Sequence, residues 1–556
     1  MCGLRRGRSR TVGAVVATAC GALLVTVCWV QVTAGAPVRN AAGDHDGTGR
    51  AVVLTPRPNI VFIMVDDMRD DDVRYMPWTR RLVGDRGVRF VNSFVPLPRC
   101  CPARASVLTG LYPHNHGVYD VRPPYGFSSF DDSSTLATWL QDAGYWTGYL
   151  GKYLHEYGAA PPYGAQAGNS LHYVPPGWEN WRASIDGGLP WDHPKAGSTY
   201  SFLDTTLSRN GKGLDNYEGR FQTGLYGTLA EKILQRRARS SQPFFYYLSF
   251  TAPHAGLPVE PDDPTLHPRN AGRDWFQTTA RPRWTWGMFD DVIKAAPGAD
   301  WADPDISDKP PFIKNDPPLN RTEKAALLEL TRQRAEALAA VDRQVRRIIG
   351  VLRETRVLER TLVVFTSDNG FFLGEQRRRQ GKVLPYEPSI RVPLLMRGPG
   401  IPAGGTRHDP FMSIDFAPTL AAAAGIAPPA PVDGASMWSV ARNGDKGWDR
   451  PVLTETGSMF NQVRDTDLAG GTLEKDELRD PRFMIGIRTG RYLYTDAASG
   501  MTELYDLRRD PQQYDNVARD PAYARTVTLL RTALERARAC RGTECHGPLP
   551  EELRVG

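Results

Sequence analysis

Three uninterrupted apolar runs organise the chain, at Asn59–Val65, 243–250 and 361–366, and each gives way to polar residues at its end. Runs of six to eight residues without alternation fit strands buried on both faces. The first ends in Asp66-Asp67 and the third in Ser367-Asp368-Asn369. Helical spacing recurs between them at 134–143 and, most clearly, at Arg321–Glu354. Strands alternating with helices predict an α/β fold: a mostly parallel sheet covered by helices on both faces, with its site at the strands' carboxyl ends. The stretches 159–240 and 255–320 are rich in Pro, Gly, Trp and Asp, lack periodicity, and read as long loops over that site. After about residue 450 the texture changes. A hairpin is expected from 483–488 and 491–494, then a strand near 503–507 and a helix near 523–538. This divides the chain into a main domain at 57–450 and a C-terminal α+β subdomain at 451–556, with no internal repeat.

The first residues carry a different pattern. Arg5, Arg6, Arg8 and Arg10 precede an uncharged apolar run from Val12 to Val30, and small residues follow at Ala34 and Ala36. Residues 1–36 read as an export signal cleaved after Ala34 or Ala36, or as an uncleaved membrane anchor. Residues 37–56 read as a disordered lead-in. The formal charge of +6 contains the four leader arginines, so the remainder carries +2. A balance so close to neutral gives no reason to invoke nucleic acid, and a membrane enters only through an uncleaved leader. Cys540 and Cys545, near in sequence, suit a small disulfide loop in an exported protein.

Asp66, Asp67, Asp368 and Asn369 place four oxygen-bearing side chains at two strand ends. An oxygen-only set favours a hard cation, Ca2+ with Mg2+ as the alternative, and no His/Cys grouping of zinc type accompanies it. Either pair alone also fits a turn or cap. Adjacent cysteines such as Cys100 and Cys101 would by themselves read as buried thiols or half-cystines. Their setting changes that reading, because Cys100-Cys101-Pro102-Ala103-Arg104 is followed by a short apolar run closed by Thr109 and Gly110.

That eleven-residue stretch resembles the signature of the type I sulfatases. A second stretch, Gly144 to Leu154 with Lys152, matches another signature of the family, and the similarity runs from about Pro58 to Pro429. Within the family the chain is similar to N-acetylglucosamine-6-sulfatase-like and bacterial arylsulfatase-like proteins. It shares with them Cys100-Cys101-Pro102, the stretch from Gly151 to Gly158, and the stretch from Val392 to Gly400.

The resemblance implies an alkaline-phosphatase-like fold and an enzyme that cleaves sulfate esters. It also implies that Cys100 is oxidised by a formylglycine-generating enzyme to formylglycine, whose hydrated aldehyde is the nucleophile. A geminal diol offers one oxygen to attack and a second to expel sulfate, a release step that a thiolate lacks. The same resemblance gives a calcium ion to Asp66, Asp67, Asp368 and Asn369, in contact with the modified Cys100. It gives sulfate binding to Arg104, Lys152, Lys382 and His254, with His254 suited to protonate the leaving oxygen. His114 and His116 lie in a stretch common to the family and read as structural.

Two positions depart from the family pattern. Leu154 stands where many members have histidine, with His155 one place on as the candidate substitute, and Phe371, Phe372 and Gln376 occupy a stretch that often holds another. The expected substrate is a sulfated small molecule or glycan. A phosphate or phosphonate ester hydrolase on the same fold, and a catalytically impaired sulfated-glycan-binding protein, remain alternatives.

Overall fold

The computed structural model describes residues 57–264, 278–300, 305–314, 317–456 and 484–554. The leader, the 37–56 lead-in and Phe483 of the expected hairpin lie outside them. Among the described residues a ten-stranded sheet forms the centre. Its strands are β1 (Asn59–Val65), β2 (Val88–Phe90), β4 (Trp146–Lys152), β5 (Asn180–Ser184), β6 (Thr206–Ser208), β7 (Leu214–Asn216), β8 (Phe244–Ser249), β9 (Thr361–Ser367), β10 (Leu394–Arg397) and β11 (Gly405–Arg407). A two-stranded pairing joins β3 (Ser93–Phe94) to β12 (Phe411–Met412).

Strand order is β11-β2-β10-β9-β1-β8-β4-β5-β6-β7. The five strands from β9 to β5 are mutually parallel, and antiparallel partners flank them on both sides. The apolar run of β1 shows why the sheet must be covered twice. Ile60, Phe62 and Met64 enter one core with the helices Cys100–Thr109, Leu136–Asp142 and Phe416–Ala423. Val61, Ile63 and Val65 enter the other, with Gln222–Arg237 and Arg321–Glu354. Successive side chains point to opposite faces, so a strand with no polar position needs helices on both.

The stretch 159–240 departs from the loop reading. It supplies β5, β6 and β7 and the sixteen-residue helix Gln222–Arg237. Two glycines in that helix, Gly224 and Gly227, weaken its sequence pattern. A Cβ on Gly227 would stand 2.1 Å from Oε1 of Gln344 in the long helix, so this glycine serves close helix approach. The described part of 255–320 is largely irregular, with short turns at Arg283–Thr285 and Ile306–Asp308 and one helical turn at Pro311–Lys314.

After residue 450 the chain forms an antiparallel four-stranded sheet of β13 (Val452–Thr456), β14 (Met484–Arg488), β15 (Tyr492–Ala497) and β16 (Thr502–Asp506), packed with the helix Ala524–Ala537. The expected hairpin is β14–β15, with Arg488 opposite Leu493. Strand β13 went unread in the sequence. Cys540 and Cys545 form the expected disulfide.

Candidate active site

Register brings the candidate residues to one edge of the sheet. Val65 lies opposite Ser367, Met64 opposite Ser249, and Gly151 opposite Ser249, so β1, β9, β8 and β4 end together. Asp66 and Asp67 leave β1, Asp368 and Asn369 leave β9, Lys152 closes β4, and His254 sits in a turn after β8, its N–H donating to the Thr251 carbonyl at 2.9 Å. Gly151 has φ 108° and no room for a side chain, because a Cβ would meet the Ser249 carbonyl oxygen at 1.9 Å. Asp67 adopts φ 66°, a conformation that aspartate tolerates better than most residues.

Cys100 is the first residue of a ten-residue helix in which every residue is buried, and which Gly110 ends in a left-handed cap at φ 75°. Arg104, one turn on, is held through two of its three guanidinium nitrogens, while Nη2 lies 2.8 Å from Asp368 Oδ2 as an ion pair. Its Nε donates to Asp368 Oδ2 at 2.9 Å, and its Nη1 donates to Ser249 Oγ at 2.7 Å and to the Lys152 carbonyl at 2.8 Å.

Around the Cys100 sulfur the charges converge. Lys382 Nζ lies 3.0 Å from Sγ and 2.5 Å from Asp67 Oδ1. Lys152 Nζ lies 3.4 Å from Sγ and forms an ion pair with Asp66 Oδ2. Asp66 Oδ1 is 3.3 Å from Sγ. His254 Nε2 faces Asp67 Oδ2 at 3.7 Å, while its Nδ1 lies 2.7 Å from the Ala255 carbonyl oxygen. A carbonyl only accepts, so Nδ1 carries a proton, and Nε2, turned to the site, is the nitrogen that can give up the second proton of a charged imidazole. None of Asp66, Asp67, Cys100, Lys152, His254 and Lys382 is more than 4% exposed, so these charges act on each other with little screening by water.

The field shifts the carboxylates apart. Burial by itself would raise the Asp66 carboxyl, but Lys152, His254, Arg104 and Lys382 hold it far below the usual carboxylate range. Asp368 goes the other way, pushed up to about 6 by burial and by the charge of Asp66 in spite of Arg104. Burial would lower Lys152, and Asp66 with Cys100 instead holds it above the ordinary lysine range.

The carboxylates of Asp66 and Asp67 offer a hard cation its oxygen donors, and the fold also sets Cys100 and His254 beside them, a His/Cys grouping the sequence did not show, with a ligand atom of all four within 4.8 Å of one another. Asn369 Oδ1 is a buried acceptor without a hydrogen-bond donor, while its Nδ2 donates to Asp67 Oδ1 at 2.6 Å. The Lys382 ammonium between Asp67 and Sγ shows that positive charge is accommodated there.

His155 turns elsewhere. Its Nδ1 lies 2.9 Å from Asp186 Oδ2 and 3.0 Å from the Tyr200 hydroxyl, and its backbone N–H donates to Cys101 Sγ at 3.0 Å. Burial pushes the Cys101 thiol far up, so Cys101 stays protonated beside its neighbour. His114 lies 3.0 Å from Glu455 and His116 lies 3.0 Å from Ser106 Oγ, both in supporting packing. Leu154 and Phe372 are core side chains, and the Gln376 amide donates to the Gln513 carbonyl at 3.0 Å. The departures from the family pattern therefore fill packing positions. Sequence reasoning missed Tyr200 and Asp186, which lie in the stretch read as loop and match no motif.

The class that fold and site define is matched by comparison: the Sulfatase family model covers residues 58–426, and the chain belongs to that family. It is 29% identical over 528 residues to the N-acetylglucosamine-6-sulfatase of Homo sapiens, covering 89% of this chain and 87% of that one. A Sulf-1 extracellular sulfatase homolog of Caenorhabditis elegans is 30% identical over 428 residues, 73% of this chain, and the chain spans about half of that relative, 54%. The fold is shared with a structure solved in complex with its substrate D-glucosamine-2-N,6-O-disulfate, at TM-score 0.64 and 23% identity, covering 87% of this chain and 97% of the other.

Proposed function

We propose that this protein hydrolyses sulfate monoesters outside the cytoplasm, through formylglycine made from Cys100 by a formylglycine-generating enzyme and a divalent cation held by Asp66, Asp67, Asp368 and Asn369. Ca2+ is the expected ion, with Mg2+ the alternative. The modified side chain supplies a nucleophile with its own release step, and the cation supplies Lewis-acid polarisation of the ester. The protein's own residues do the rest. Arg104 fixes Asp368 and the start of the helix, so the side chain at position 100 meets the acids in one orientation. Lys152 and Lys382 aim ammonium groups at the place where anionic oxygens gather, and act there in a water-poor site. His254 presents Nε2 to the leaving oxygen.

The observation that carries this reading is the approach of two lysine ammoniums to one sulfur, Cys100 Sγ, at 3.0 and 3.4 Å. A purely structural cysteine has no use for two buried cations. The Cys540–Cys545 disulfide supports an oxidising compartment. The likeness to an N-acetylglucosamine-6-sulfatase supports a sulfated sugar or glycan as substrate.

Mass spectrometry of the peptide spanning Cys100, from protein made with the modifying enzyme, tests the nucleophile. An aldehyde mass is expected, and unmodified thiol in every preparation overturns it. Turnover of 4-nitrophenyl sulfate should exceed that of the matching phosphodiester. The reverse order would favour the phosphate or phosphonate ester reading, and a single burst of sulfate without further release the glycan-binding one.

A further inference from the structure

Tyr200 lies in the stretch that the sequence pattern left as loop, yet its side chain reaches two residues of the site, Lys152 and His254, and His155 behind them. Its ring lies 4.8 Å below the Lys152 ammonium, measured to the centroid. The same ring packs against the His254 imidazole at 4.8 Å between centroids, tilted by 37°. Its hydroxyl is 3.0 Å from His155 Nδ1, which Asp186 also holds at 2.9 Å. The backbone is engaged separately, since Leu257 N–H donates to the Tyr200 carbonyl at 2.7 Å, a bond that survives any change of side chain.

Taking the sulfatase reading as its basis, we infer that Tyr200 is a positioning residue for leaving-group departure, its ring holding the His254 imidazole and the Lys152 ammonium in one arrangement. A ring nitrogen can protonate a leaving oxygen only while the imidazole plane is fixed. The Nδ1 contact to Ala255 fixes one point of His254, and the Tyr200 face restrains its rotation about that point. The π face also attracts an ammonium, which keeps Lys152 turned toward the side chain at position 100. Both effects belong to the ring. The hydroxyl serves His155, one layer further out.

The separation of ring from hydroxyl makes the inference testable. The fully modified enzyme would be assayed on two aryl sulfates, 4-nitrophenyl sulfate and phenyl sulfate. Nitrophenolate departs readily without a proton, whereas the phenolate of phenyl sulfate, a base like tyrosinate with a pKa near ~10, gains from one. Tyr200→Leu should lower kcat on phenyl sulfate about tenfold more than on 4-nitrophenyl sulfate, with KM within about twofold of wild type on both. Tyr200→Phe keeps the ring and should stay within about threefold of wild type on both substrates. Thermal unfolding of each variant separates misfolding from mispositioning, and Tyr200→Met supplies a second ring-free variant. Equal losses on the two substrates, or no loss in a folded ring-free variant, overturn the inference. A wild-type enzyme that releases sulfate from neither aryl ester nor from N-acetylglucosamine 6-sulfate overturns the sulfatase reading, and this inference with it.

Discussion

Two regions of the molecule bury charge, and they do so differently. In the seam under the C-terminal sheet each charge is matched locally. Arg450 pairs with Asp415, which also accepts N–H groups from Met412 and Ala435 at 2.8 Å each. Arg488 donates to Glu387 at 2.9 Å, and His114 meets Glu455 at 3.0 Å. At the carboxyl edge of the parallel sheet the charges are instead shared. Asp66 faces Lys152, Arg104 and the Cys100 sulfur, while Lys382 divides itself between Asp67 and that same sulfur. Saturated pairs hold a seam closed. A cluster whose cations converge on one side chain, with Asn369 Oδ1 left as an acceptor, is arranged to receive something else.

The comparison breaks most sharply at Cys100. Cys100→Ala should lower kcat on an aryl sulfate by about 10⁴-fold or more, because a covalent route vanishes, while the unfolding midpoint moves little. Residual activity near wild type would show that the convergence of charge has another purpose. In the seam the expected loss is of stability. Arg450→Ala strands the buried Asp415 carboxylate and should cost about 3 kcal/mol in a urea titration, with turnover per folded molecule unchanged. A fall in turnover at constant stability would erase the distinction between the two regions.

How much of this was legible in the sequence follows from the same contrast. The runs that became β1, β8 and β9 announce themselves because strands buried on both faces are apolar without alternation, and Arg321–Glu354 because its apolar stripe is long. Strands β5, β6 and β7, toward one side of the sheet, run only five, three and three residues, too short for their patterns to carry a signal. The Gln222–Arg237 helix was hidden by glycines, of which Gly227 has a purpose, closeness to Gln344, that exists only in three dimensions. The residues of the candidate site sit in motifs, at strand ends for Asp66, Asp67, Lys152, Asp368 and Asn369 and at a helix start for Cys100 and Arg104, and could be gathered before any coordinates. Tyr200 and Asp186 could not, since nothing in sequence relates positions 186 and 200 to His155.

Removal of the cation acts on the sheet edge and leaves the seam alone. Treatment with chelator should lower turnover about a hundredfold, the scale of a lost Lewis acid, and added Ca2+ should restore it. The acids at the sheet edge would then repel one another, so the unfolding midpoint should fall in the wild type and recover with Ca2+. The deficit of Arg450→Ala should not respond to Ca2+ at all. Activity that persists through exhaustive chelation would remove the cation from the account while leaving the seam untouched.

The smallest expected effect concerns two histidines that differ in the same way as the two regions. Burial holds the His116 imidazole down at about 3, with nearby His114 adding to the depression, so it is neutral in the folded protein. Burial would lower His114 also, but its contacts with Glu455 raise it above the ordinary histidine range. The signs are opposite. His116 must take up a proton on unfolding below about pH 6.5, so the stability it contributes is complete above that value and drains as pH falls toward about 3. His114 contributes stability that is complete below about pH 6.5 and is lost as pH rises through its raised folded value. Between about pH 7 and 5.5 the His116 effect amounts to about 1 kcal/mol. Urea titrations at those two pH values should therefore show wild type losing about 1 kcal/mol more than His116→Gln, which cannot charge. Equal losses would mean that His116 already carries its proton in the folded state, and that the helix beginning at Cys100 rests on a charged neighbour.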